Sequence, residues 1–202
     1  MARSPALIRA AIFDWGGVLC HTELHALLDQ WDRRLGLPPG AVLTAMFRGT
    51  DHTVLVGRIT AEEHWAGVCR ALPLSAENRR QLIRELAEAE VFDAELGAFI
   101  RSLRPRLRTA ILTNQWSDGR ALLNQHGAER LVDELIISAE VGAAKPEPEI
   151  YWIALERLAV DPEEAIFVDD DERNVAAASA VGLHSVLYAS TPQAIAEVRQ
   201  LV

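Results

Sequence analysis

Four short stretches carry the residues that could do chemistry. RAAIFDWGGVLC (9–20) runs through apolar residues into Asp14, then Trp15 and two glycines. ILTNQ sets Thr113 and Asn114 at the end of a second apolar run, and FVDDDERN sets Asp169, Asp170 and Asp171 at the end of another. Lys145 lies in AAKPEPE, in a loop after a further apolar run. In an open parallel sheet, ligands bind beyond the carboxyl ends of the strands. Neighbouring strands would therefore gather a carboxylate nucleophile, a hydroxyl, an ammonium and an acidic cluster in one place. Carboxylates brought together repel unless a cation lies between them. Mg²⁺ suits such a set, because it takes a few carboxylates and keeps room for water and a phosphate oxygen. A carboxylate can attack phosphorus to form an aspartyl phosphate. A lysine and a hydroxyl can hold phosphoryl oxygens while charge shifts. The chemistry pointed to is phosphoryl transfer through a covalent intermediate.

Positioning these groups requires strands. Five apolar runs, ALIRAAIFD (6–14), RTAILTN (108–114), ELIIS (134–138), EAIFVDD (164–170) and HSVLYA (184–189), lack clean alternation, as strands covered on both faces do. Helical patterns over 117–132, 147–160 and 172–182 separate the later runs. A last helix begins at TPQAIAEV, with Thr191 as its expected N-cap and Pro192 at the first helical position. This alternation predicts an α/β fold: a Rossmann-like parallel sheet of five main strands with helices on both faces. The gap between the first and second strands is too long for one crossover. Residues ~20–90 read as several helices, with Thr60 and Glu63 at capping-box spacing. The expected organisation is a core of 1–19 and 91–202 with an inserted helical cap of 20–90; DAELGAFIRSLR (93–104) returns to the sheet as a core helix.

Composition narrows the partners. The chain has 202 residues, half of them hydrophobic, and at this length roughly 70% of the unfolded surface can be buried. The net charge of −9, with no basic run, argues against nucleic acid and acidic lipid, which demand dense cationic footprints. No apolar run reaches the ~18–20 residues that span a bilayer. Cys20 and Cys69 make no metal spacing and no disulfide framework, and no signal peptide is evident. They read as free thiols in a reducing cytosol, so a cytoplasmic location is expected.

Taken together and in order, FDWGGVL, ILTNQ, AAKPEPEIY and FVDDDERNV resemble the four motifs of the haloacid dehalogenase-like superfamily over nearly the whole chain. The similarity is greatest to a small-cap subgroup that includes a bacterial α-glucose-1-phosphate phosphatase, and GRITAEEHW (57–65) resembles that subgroup too. The resemblance implies that Asp14 is the nucleophile and a metal ligand, and that Thr113 and Asn114 serve substrate binding, Thr113 holding the phosphoryl group. It implies that Lys145 neutralises nucleophile and phosphate. Asp170 becomes the acidic metal ligand, four residues before Asn174, and Asp169 orients the metal's waters or supports its ligands. The backbone carbonyl of Gly16 would complete the protein's share of a Mg²⁺ shell. The implied activity is hydrolysis of a small phosphorylated metabolite.

Gly16 is the departure. Most phosphatases of the family carry an aspartate there, which protonates the leaving group and then activates water. General acid catalysis is worth about 10²–10⁴-fold. Either another residue serves, with His21 and His25 following the motif closely, or the leaving group needs little help, as a sugar anomeric oxygen or an acyl phosphate would. Three other functions share the residues: a haloacid dehalogenase, a phosphotransferase and a non-catalytic protein that binds a phosphorylated ligand. The acidic FVDDDERN motif favours phosphatase over dehalogenase. Asp171 and Glu172 read as a helix N-terminus. His52 and His64 read as cap surface residues, and Trp31, Trp65 and Trp152 read as core. Trp15 and Trp116 could line a pocket mouth or pack inside, and Arg48 could meet substrate.

Overall fold

The computed structural model describes residues 7–47 and 51–202; Arg48 lies outside them. Among the described residues seven strands form, in chain order β1 (Ala10–Phe13), β2 (Cys20–His21), β3 (Val91–Phe92), β4 (Arg108–Thr113), β5 (Glu134–Ile137), β6 (Ala165–Asp169) and β7 (His184–Leu187). Five make one parallel sheet in the order β5-β4-β1-β6-β7. Helices α1 (Leu24–Leu35), α2 (Ala41–Phe47), α3 (Asp51–Leu55), α4 (Ala61–Ala71) and α5 (Ala76–Glu88) follow β2. The later helices are α6 (Ala94–Leu103), α7 (Gly119–Gln125), α8 (Ala128–Leu131), α9 (Ser138–Val141), α10 (Pro148–Leu158), α11 (Glu172–Val181) and α12 (Thr191–Leu201).

The unbroken apolar runs follow from burial on both faces. Successive strand side chains point to opposite sides. Ala11, Phe13, Ile111, Ile166 and Val168 pack with α6 and α12 in one cluster. Ala10, Ile12, Ala110, Leu112 and Phe167 pack with α10 and α11 in the other. A fully buried side chain of the size of Phe13 or Ile12 contributes roughly 1.5–3 kcal/mol. That gain holds the runs in the sheet up to the residue where polarity begins, and so fixes the height of Asp14, Thr113 and Asp169. Because β1 lies between β4 and β6, its end meets both of theirs.

Helices α1, α2, α4 and α5 bury a cluster of their own around Trp31, Met46, Trp65 and Leu82. Buried Asp32 accepts from the backbone N–H of Gly40 (2.6 Å) and Val42 (2.8 Å), which organises the start of α2. The Thr60–Glu63 capping box forms at α4 as the spacing predicts. The antiparallel β2–β3 ribbon joins the two chain crossings between these helices and the sheet. No described helix is long and apolar enough to cross a membrane.

Some expectations need correction. The single helix expected over 117–132 is two, because Gly127 adopts the left-handed conformation (φ 77°) and interrupts the ladder. Ser190, not Thr191, caps α12, through a reciprocal box with Gln193; the Thr191 hydroxyl instead bonds to Tyr188 and Asp93. Trp152 is 51% exposed rather than core. The buried stripe of α10 runs through Ile150, Tyr151, Ala154, Leu155 and Leu158, and Trp152 falls on the other side. Trp31 and Trp65 are buried as expected, and so is His64, expected at the surface.

Candidate active site

Asp14 follows β1 directly, and its N–H donates to the Val168 carbonyl at 2.9 Å. Its side chain is nearly buried. Oδ1 accepts from the Trp15 N–H at 2.6 Å and pairs with Lys145 Nζ at 2.7 Å. Among the described residues no hydrogen bond engages Oδ2. Lys145 Nζ also donates to Asp169 Oδ2 at 2.6 Å, so one buried ammonium bridges two carboxylates.

The lysine is held from outside the sheet. Asn114 donates from Nδ2 to the Lys145 carbonyl and accepts the Lys145 N–H on Oδ1, both at 2.8 Å. The carboxamide thus fastens the Lys145 backbone to the end of β4. Asp169 is fully buried and accepts from the Asp171 N–H (2.8 Å) and from Asn174 Nδ2 (3.0 Å). Tyr151 Oη donates to the Asn174 carbonyl at 3.0 Å. Asp171 caps α11, accepting from the Arg173 N–H, as its place before the helix suggests.

Oxygens of Asp14, Asp169 and Asp170 lie within 4.8 Å of one another. Three carboxylates and one ammonium carry two negative charges in excess when all are ionised; Asp14, Asp169 and Lys145 are buried, while Asp170 is exposed. The electrostatics register this excess. Burial pushes the Asp14 carboxyl up to about 7; Lys145 opposes that rise and Asp169 adds to it. Asp170 is raised by burial and by Asp169. Lys145 keeps its proton despite burial, because Asp14 and Asp169 raise it. A divalent cation would balance the two charges. The backbone leaves room for the third carboxylate: a Cβ at Gly17, whose φ is +78°, would stand 2.1 Å from Asp170 Oδ2. The residues therefore fit a hard divalent ion.

Thr113 ends β4, almost fully buried, and no hydrogen bond engages its hydroxyl among the described residues. Gly16 offers only its backbone, and a Cβ there would meet nothing within 4 Å. His21 lines one cavity with Gly16 and Gly17, and its Nε2 is 3.4 Å from Tyr188 Oη. His25 is exposed, and His52 pairs with Glu147 at 3.5 Å. Trp15 packs into the core against Phe92 and His126. Trp116 packs with Trp65 and His64 and lines a cavity of about 410 Å³. Met46, Phe47, Leu86, Asn114 and Gln115 line that cavity too. Sequence reading passed over Gly17 and the carboxamide clamp of Asn114. The Gly16–Gly17 pair was the available signal for the first; nothing local signalled the second.

Known proteins resemble this chain in sequence and, for solved structures, in fold. The bifunctional epoxide hydrolase 2 of Rattus norvegicus is 30% identical over 96% of the chain, which spans 39% of that protein. The chain covers between 19% and 39% of the four curated relatives of this longer kind. A phosphorylated carbohydrates phosphatase of Thermotoga maritima is 30% identical over 89% of the chain and 84% of its own length. A solved enzyme of Bacteroides thetaiotaomicron, in complex with magnesium and inorganic phosphate, superposes with a TM-score of 0.77. It is 20% identical, over 91% of this chain and 96% of that one. Residues 8–182 match the family described as haloacid dehalogenase-like hydrolase. With that match and the phosphatase relative alongside, the chain belongs to the haloacid dehalogenase-like hydrolases.

Proposed function

We propose that the protein is a Mg²⁺-dependent phosphatase that hydrolyses a small phosphorylated metabolite through an aspartyl-phosphate intermediate. The observation that carries this reading is the buried ammonium between Asp14 and Asp169, with the Asp14 Oδ2 left unengaged. Asp14, Asp170 and the Gly16 carbonyl would hold the ion. Mg²⁺ supplies charge neutralisation at the phosphoryl oxygens when bound. Asp14 Oδ2 attacks phosphorus, the bond to the leaving oxygen breaks, and that oxygen keeps the electron pair. Lys145 favours the ionised form of Asp14 against the effect of burial and meets the negative charge of the phosphoryl group. Thr113 offers its hydroxyl to a phosphoryl oxygen. Asn114, Asn174 and Asp169 keep Lys145 in place. Water then attacks the aspartyl phosphate and releases inorganic phosphate and the free carboxylate.

The leaving group carries the specificity. With no side chain at Gly16, substrates whose leaving oxygen is a weak base are favoured. A sugar 1-phosphate is one such substrate, in line with the small-cap subgroup. The lining of the 410 Å³ cavity supports a second choice, because Met46, Phe47, Trp65 and Leu86 suit an apolar group. An aryl or acyl phosphate combines both properties. The phosphatase of Thermotoga maritima supports phosphate chemistry, and the magnesium–phosphate complex from Bacteroides thetaiotaomicron supports the ion.

Phosphate release from p-nitrophenyl phosphate with Mg²⁺, abolished by chelator and by Asp14→Asn, is the expected result. Full turnover in Asp14→Asn would end the proposal. Halide release from 2-chloropropionate without metal would make the protein a dehalogenase instead. A panel that sets glucose 1-phosphate, glucose 6-phosphate, acetyl phosphate and aryl phosphates side by side resolves the leaving group.

A further inference from the structure

A second set of side chains of metal-ligating type shares no residue with the acidic cluster. Cys20 Sγ, a Glu90 carboxylate oxygen and a ring nitrogen of His126 all stand within 4.8 Å of one another. Sγ is 3.6 Å from Glu90 Oε2, and His126 Nε2 is 3.4 Å from the same oxygen. Ligand atoms about 2.0–2.3 Å from a tetrahedral zinc ion stand at comparable mutual separations. The three residues come from three parts of the chain. Cys20 opens β2, Glu90 immediately precedes β3, and His126 ends α7. The ring of His126 packs against both Phe92 (centroids 6.0 Å) and Trp15 (5.9 Å), which also pack against each other, and these contacts limit its orientation. Cys20 is buried, while Glu90 and His126 are each about a quarter exposed, so an ion has a way in.

We infer that Cys20, Glu90 and His126 form a binding site for a borderline-soft divalent cation of the Zn²⁺ class, distinct from the acidic site and bridging both chain crossings to the core. The donor set selects the metal. One thiolate, one imidazole and one carboxylate suit zinc, cobalt or nickel; magnesium takes oxygen ligands and reluctantly sheds water. Three protein ligands leave a fourth position for water. Without metal, Glu90 accepts the Cys20 S–H and faces His126. Burial, with Glu90 beside it, pushes the thiol up to about 12, so it is protonated before an ion arrives. Binding replaces that proton, which is released to solvent. The bound ion would tie the β2–β3 ribbon to α7 and restrain the inserted helices relative to the sheet.

Cobalt(II) titration of the full chain tests this, because a thiolate–cobalt bond gives a near-ultraviolet charge-transfer band that carboxylates do not. We expect one equivalent to bind with that band, unaffected by excess Mg²⁺ and retained in Asp14→Asn and Cys69→Ser. The band should vanish in Cys20→Ser. In His126→Gln the affinity should drop by more than about tenfold, since even residues that only support metal ligands are worth that much. Cys20→Ser should keep Mg²⁺-dependent phosphate release, which separates this site from the proposed catalytic one. No band in the folded wild-type chain overturns the inference. So does a band that persists in Cys20→Ser, or one whose titration is unchanged in His126→Gln.

Discussion

Replacing Lys145 by methionine isolates the central electrostatic claim. In the wild type the ammonium lies 2.7 Å from Asp14 Oδ1 and 2.6 Å from Asp169 Oδ2, with side-chain exposures of 2%, 11% and 0% for the three groups. Methionine keeps most of the volume and removes the charge, leaving two buried carboxylates with no counter-charge. Breaking a buried pair this way costs about 3–5 kcal/mol. For a chain of this length about 1 kcal/mol moves the thermal midpoint by about 2–4 °C, so a drop of roughly 6–20 °C is expected at neutral pH without Mg²⁺. The pH dependence fixes the sign. The folded pKa of Lys145 is raised above 10.5, so its stabilisation is fully present below that value and lost only as pH rises through the folded pKa. The ammonium is therefore intact at both about pH 5 and about pH 8. Asp14 is already raised from 3.8 to about 7, and losing Lys145 raises it further. Above 3.8 the folded state then binds more protons than the unfolded state, and stability falls as pH rises. The deficit should be larger at about pH 8 than at about pH 5, where protonation relieves the repulsion. Mg²⁺ should recover part of it. Denaturation with chelator at the two pH values is the assay. A loss within the roughly 0.5 kcal/mol of a surface substitution, or one identical at both pH values, would refute the reasoning.

Three further outcomes follow from the same geometry. Gly17→Ala puts a Cβ 2.1 Å from Asp170 Oδ2 on a backbone with φ +78°, so the Mg²⁺ concentration for half-maximal turnover should rise about 10–100-fold; an unchanged Mg²⁺ titration counts against Asp170 as a ligand. Gly16→Asp has open space for its Cβ and should raise kcat/KM on alkyl phosphates by up to about 10²–10⁴-fold, with little change on p-nitrophenyl phosphate; equal effects on both would remove the leaving-group argument. Asn114→Ala removes two 2.8 Å hydrogen bonds to the Lys145 backbone and should lower stability by about 1–3 kcal/mol, at about 0.5–1.5 kcal/mol per bond. Its kcat should fall more than its KM changes, and a pure KM effect would mean that the carboxamide binds substrate directly.

The sheet and its polar strand ends were legible because burial on both faces leaves a continuous apolar run, and the residue that ends the run is conspicuous. Asp14, Thr113 and Asp169 all show this, and the sheet order brings their ends together. What the sequence hides is contact between residues distant along the chain. Asn114 looks like a strand-end polar residue; only the fold shows its carboxamide spent on a backbone 31 residues away. Cys20 and Glu90 are 70 residues apart and carry no metal-site spacing, yet the two-residue β2–β3 ribbon brings them into contact. That ribbon is too short for a period of two to register. Trp152 misled because large aromatic residues are usually covered, while its position is set by the stripe that α10 turns to the sheet.

Gly16 differs from all of these, since there the informative feature is a missing side chain. Its neighbour Gly17 is required by a close approach: Asp170 occupies the space where a Cβ would stand. Gly16 is under no such pressure. It is not in the left-handed region, and open space surrounds its Cβ position. Sterics alone would therefore admit an aspartate, and the glycine is not explained by packing. The selective argument then moves to the substrate. An extra carboxylate beside Asp14, Asp169 and Asp170 would add a negative charge to a cluster that already has two in excess. That charge is worth carrying only when the leaving oxygen must be protonated. For an anomeric, aryl or acyl oxygen the gain is small, and the repulsion remains. On the proposed reading, the glycine at residue 16 bears on how readily the leaving oxygen departs, while the cavity beside Asn114 and Trp116 bears on a separate property, the apolar character of the group it carries.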